Sequence, residues 1–125
     1  MEKVLKLAEK LGQEIRRHER YRLLREAEDK VLADPEAKQI QDDLEKQLQR
    51  IRKLEQEMKP IEVADKRELS RLQELAARNP GLKDLLRAQA DYFEMMNKVN
   101  NTILMALAPS DEEKGDDQSA GVSSS

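Results

Sequence analysis

Cysteine is absent from the chain. That excludes disulfides, thiolate zinc sites, cysteine-ligated iron–sulfur clusters and cysteine nucleophiles together. Tryptophan is absent too, phenylalanine occurs once and aromatics make up 2% of the residues, too few for a thick sheet-type core. The buried surface has to come from Leu, Ile, Val, Met and Ala carried on helices. Long apolar runs are also missing. The longest helix-forming apolar stretch, residues 100–108, falls far short of the roughly 20 residues that span a bilayer, so no membrane insertion is expected. No apolar run opens the chain, and together with the lack of cysteine this predicts an intracellular, cytoplasmic protein.

A basic excess is lacking as well. The formal net charge is -3, and residues 1–109 hold 22 bases against 21 acids. Nucleic-acid binders carry a clear surplus of Lys and Arg, which leaves weak RNA binding as the minor alternative. No Gly-rich phosphate loop, nucleophile elbow or carboxylate pair inside an apolar pocket is visible. The sequence therefore predicts no enzyme, no cofactor and no metal site.

What is present is charge and helical punctuation. Charged residues make up 39% of 125 residues, with four prolines. Asp34-Pro35 and Asn79-Pro80 each place a side-chain acceptor at the N-cap and a proline at N1, where its missing N–H costs nothing. Asp65 with Glu68 resembles a capping box that opens a helix after Lys59-Pro60. The expected fold is all-α, four or five mostly antiparallel amphipathic helices at about residues 2–16, 20–33, 35–58, 65–78 and 80–107, in one domain over residues 1–108. Residues 109–125 turn to Ser, Gly, Asp and Glu, so an acidic disordered tail is expected there.

A small, polar helical chain buries a modest share of its surface, and narrow apolar stripes usually need a partner. A homodimer or higher homo-oligomer is the expectation. Ile40, Leu44, Leu48, Ile51, Leu54 and Met58 fall within ~120° of a helical wheel, a one-sided stripe. The last helix is apolar over a broader arc, and its expected oligomer interface is Leu85, Leu86, Gln89, Phe93, Met96, Asn100, Ile103 and Leu107. Gln89 and Asn100 interrupt that stripe. They either bond to water and nearby backbone at a loose interface or fix helix register, as a buried Asn does in coiled coils.

The stretch RRHERYRLLREA, residues 16–27, holds five arginines and the single histidine. Val4, Leu7, Ala8, Leu11 and Ile15 form one stripe, whereas Tyr21, Leu24, Ala27 and Val31 form another rotated by ~160°. Heptad drift of ~20° cannot produce that rotation. Either the helix breaks between about Arg16 and Arg20, or a straight helix shows opposite faces to two partners. On a straight wheel Arg16, Arg17, Arg20, Arg22 and Arg25 do not share a face. Arg22 with Glu26 and Arg25 with Asp29 are weak i,i+4 pairs. The five arginines are a solvated helix face that doubles as a candidate surface for an acidic protein partner or RNA. A lone His18 without ligand spacing reads as structural.

The ADPEA turn (33–37), the NPGLKDLLRAQADY turn and helix (79–92) and the N-x-x-N-x-x-I pattern at Asn97, Asn100 and Ile103 resemble the YlbF/YmcA family of small bacterial helical proteins. The resemblance covers nearly all of residues 1–108. It implies an all-helical protein that associates through its long helices, without known enzymatic activity. It further implies a regulatory role in competence, sporulation and biofilm formation, through a complex assisting messenger-RNA processing by the membrane-anchored endonuclease RNase Y. Some relatives carry cysteines tied to iron–sulfur binding, and a chain without cysteine does not inherit that cofactor. The family often shows Ser before an acidic, Tyr-containing helix start. His18, Glu19, Arg20 and Tyr21 match that pattern with a poorer cap.

Overall fold

The computed structural model describes residues 1–109, and these form five helices: α1 (Glu2–Arg17), α2 (Glu19–Ala33), α3 (Pro35–Gln56), α4 (Val63–Arg78) and α5 (Pro80–Leu107). The chain is all-α, with no strand among the described residues. Beyond Pro109, the acidic tail lies outside them. The chain divides into two compact units, Met1–Tyr92 and the residues from Phe93 onward.

Single extended residues separate the first three helices, and each is held by its own side chain. His18 sits at φ -72°, ψ 144°, and its Nδ1 accepts from Arg20 N–H at 3.0 Å. Asp34 Oδ1 accepts from Glu36 N–H at 3.1 Å and Ala37 N–H at 3.4 Å, with Pro35 at the first turn. These caps satisfy amides that a helix start otherwise leaves unbonded. Asn79 repeats the device before α5: it is buried, and its Oδ1 accepts from Leu82 N–H at 3.0 Å. Gly81 is what lets that cap sit tightly. A Cβ there would lie 3.3 Å from Asn79 Oδ1 and 4.0 Å from a Val31 methyl.

Helix α4 begins earlier than its sequence suggests. Its N-cap is Glu62, and Asp65 is the N3 partner of the capping box, accepting from Glu62 N–H at 3.4 Å. Glutamate is a poor N-cap by residue type, so the signal pointed to Asp65. Asp65 does more than cap. It is buried, Arg50 Nε donates to its Oδ1 at 2.8 Å and Gln47 Nε2 donates to its carbonyl at 2.9 Å. These bonds pin the start of α4 to the middle of α3 and, with Ala76 in the same cluster as Ala37 and Ile40, define an antiparallel α3–α4 hairpin.

The Arg50 hydrogen bond is the foremost cause holding the Asp65 carboxyl below the ordinary carboxylate range, against the opposing effect of desolvation. The unfolded chain then binds this proton more tightly than the folded one. The stabilisation is complete above about pH 4, the value of a free carboxyl, and is lost as pH falls through the lower folded value. We expect Asp65→Asn to lower the thermal midpoint at neutral pH and to flatten the fall in stability below about pH 4. Thermal melts by circular dichroism across that range test this, and an unchanged acid slope would contradict it.

Helix α3 ends in a left-handed residue. Met58 has φ 58°, its N–H donates to Glu55 C=O at 3.1 Å, and Lys59 N–H donates to Leu54 C=O at 2.9 Å. This is a Schellman closure, whose left-handed position favours glycine. Met58 is 94% exposed and gives up no packing. Met58→Gly is therefore expected to stabilise the fold by about 1 kcal/mol, read as a higher urea midpoint.

The core of the first unit is built from short side chains. Leu24, Ala27 and Val31 of α2 meet Ala37 and Ile40 of α3, Ala76 of α4, and Leu82, Leu85 and Ala88 of α5, with Leu44 and Tyr92 at its edge. Val31 and Leu72 are its most completely enclosed large side chains, at 1% and 2% exposure. Alanine at four of these positions lets helices approach closely, as a chain poor in aromatics requires.

Candidate functional site

Two kinds of surface stand out, an arginine-lined concavity and exposed apolar helix faces. The concavity follows from the break at His18. Because that residue is extended, the end of α1 and the start of α2 are not consecutive turns of one helix. Arg16, Arg17, Arg22 and Arg25 come to line one open concavity of about 610 Å³, together with Tyr21, Glu26 and Asp29. On a straight helix these arginines would be dispersed; the break gathers four of the five. Arg20 is the exception, and its Nη1 donates to the Asp91 carbonyl of α5 at 3.0 Å. Tyr21 stacks obliquely near Tyr92, ring centroids 6.0 Å apart.

The electrostatics of the concavity are close to balanced. Arg17 pairs with Glu14 at 3.3 Å, Arg22 with Glu26 at 2.6 Å and Glu19 at 3.4 Å, and Arg25 with Glu28 at 3.2 Å. The expected Arg25–Asp29 pair gives way to Arg25–Glu28, one turn position nearer. Arg16 makes no ion pair among the described residues. Exposed pairs of this kind contribute about 0.2–1 kcal/mol each and exchange partners readily. The concavity can offer planar guanidiniums to a carboxylate-bearing surface, but with little net positive field. His18 is occupied as a helix cap, and among the described residues no group of three or more His, Asp or Glu could hold a metal ion.

The apolar faces differ between the two units. In the first, α1 buries none of its residues, and Val4, Leu5 and Leu7 are about 60% exposed (64%, 59% and 59%). Of the residues expected at an oligomer interface, Leu85 is held in the core, Leu86 is exposed and Gln89 is half-buried. In the second unit Phe93, Ile103 and Leu107 are exposed, Asn100 is exposed and Met96 is half-buried. Leu104 and Met105, outside that expected interface set, are exposed too. Leu104 lies at the same angle as Leu86 on that stripe, whereas Met105 lies off it. No helix among the described residues is long and apolar enough to cross a membrane.

No curated protein and no solved structure matches the chain. The family model described as control of competence regulator ComK, YlbF/YmcA, matches residues 4–108. That span takes in α1 from Val4 onward, the other four helices whole and both candidate surfaces, and its description is that of a regulatory protein, so the chain belongs to the YlbF/YmcA family.

Proposed function

We propose that this chain is a non-enzymatic, cytoplasmic adaptor that assembles with copies of itself and presents a protein-binding surface to a regulatory complex, one that acts on RNA processing and developmental gene expression. The observation that carries this reading is the exposure of Phe93, Ile103, Leu104 and Leu107 along the second unit. Side chains of this size left to water form a patch of the kind that marks an interaction site. Self-assembly covers them and leaves the arginine concavity to meet an acidic protein partner, whose carboxylates replace Glu14, Glu19, Glu26 and Glu28 on the guanidiniums.

Hydrogen exchange at two protein concentrations tests the assembly. Amides of residues 93–107 are expected to exchange more slowly in the concentrated sample, because local opening must first expose a covered face. Equal rates at both concentrations would overturn the reading. The convergence of four arginines around Tyr21 favours RNA as a second reading, since guanidiniums and a tyrosine can hold phosphates and a base. A mobility shift that fades steeply with salt would select RNA, and no shift at low salt would remove it.

A further inference from the structure

Among the described residues, helix α1 is the one element with a full apolar face and no buried residue. At 100° per residue, Leu7, Leu11, Val4, Ile15 and Ala8 occupy a sector of about 100°. Gly12 and Leu5 flank it on one side, and Glu14, Lys3 and Lys10 on the other. Gly12 needs explaining. A glycine inside a helix costs about 1 kcal/mol relative to alanine, and a Cβ there would meet nothing within 4 Å. Among the described residues no turn or contact requires it. It lies one turn after Ala8 at the edge of the apolar face, where a missing side chain lets another helix come close.

The charges say which helix. In an antiparallel pair related by a twofold axis, each flank meets itself. With the axis between residues 8 and 9, Lys3 of one copy falls beside the partner's Glu14, and the reverse pair forms at the other end. Lys10 falls opposite the partner's Leu7, where its methylene stem covers apolar surface. Ala8 lies at the axis, and Gly12 opens room beside it. A parallel pair would instead set this charged flank against the partner's Leu5 and Gly12 flank, leaving Lys3 and Glu14 without a partner across the contact. Lys3 makes no ion pair within the described chain, and Glu14 has only the exposed Arg17 at 3.3 Å. An anionic membrane surface suits the face less well, because Glu14 borders it and Glu2 and Glu9 share its polar side.

We propose that α1 pairs antiparallel with α1 of a second copy of this chain, closely packed across Ala8 and Gly12 and tied at both ends by Lys3 and the partner's Glu14. This rests on the self-assembly proposed above but uses a different surface. Two separate twofold interfaces on one chain, α1 and the end of α5, allow an assembly larger than a dimer.

The absence of cysteine makes the test clean. In the full-length chain, Ala8→Cys is expected to cross-link to a dimer on mild oxidation, while Lys6→Cys, on the far side of the helix, stays monomeric on a denaturing gel. Lys3→Cys mixed with Glu14→Cys should cross-link faster than either alone. Gly12→Leu should weaken dimerisation about tenfold or more by overfilling the contact, with helix content unchanged. Lys3→Glu and Glu14→Lys should each weaken it and together restore it. Equal cross-linking of the Ala8→Cys and Lys6→Cys variants, or an unchanged Gly12→Leu assembly, overturns the proposal. So does flotation of the uncross-linked chain with phosphatidylglycerol vesicles, which would assign the face to a lipid surface. If the chain still assembles while the Ala8→Cys variant fails to cross-link, the α1 pairing alone is wrong. A monomer at every concentration removes both this pairing and the assembly it rests on.

Discussion

Replacing Leu72 with alanine is expected to destabilise the fold by about 3 kcal/mol. Leu72 is 2% exposed on the inner side of α4, where α4 packs against α3. Truncation removes buried methyl groups and leaves a cavity that two helices pinned together by Arg50, Gln47 and Asp65 cannot close by sliding. Against the 5–15 kcal/mol that holds a typical domain, this loss is a large fraction. Urea unfolding followed by circular dichroism measures it as a lower midpoint at unchanged slope. Val63→Ala on the exposed side of the same helix should stay within about 0.5 kcal/mol, separating cavity formation from any change in helix propensity.

The second large effect concerns assembly. Ile103 and Leu107 stand one turn apart on α5 and are 47% and 74% exposed. The double substitution Ile103→Glu, Leu107→Glu removes no buried contact within the chain, so helix content and urea midpoint of the isolated chain should hold. In an assembly the same change buries two carboxylates without partners, which costs several kcal/mol. The dissociation constant is expected to rise at least about a hundredfold, roughly 3 kcal/mol or more. An assembly that tolerates both glutamates would place the contact elsewhere.

Much of the fold was legible because its stops are local chemistry. Asp34-Pro35 and Asn79-Pro80 carry both the cap and the ring that fixes the next turn, and neither signal depends on tertiary packing. The start of α4 was displaced because Glu62 caps without belonging to the favoured cap residues, and Asp65 owes its position to Arg50, fifteen residues away. The candidate surfaces were harder to read. A helical wheel assumes one continuous axis, so it dispersed the arginines that the extended His18 gathers. Periodicity also cannot say which end of a long stripe is covered. Leu85 and Ile103 lie at the same angle on α5, yet Leu85 is sealed in the core at 4% exposure and Ile103 is open to water. Which turns are buried depends on where the other helices stop, and spacing within α5 carries no trace of that.

The proposed function requires the chain to assemble. Sedimentation velocity of the full-length protein over a wide concentration range tests it most directly. The prediction is a species of at least twice the 14.4 kDa chain mass whose mass falls in the Ile103→Glu, Leu107→Glu variant. A single species of 14.4 kDa at every concentration, well folded and soluble, would contradict it.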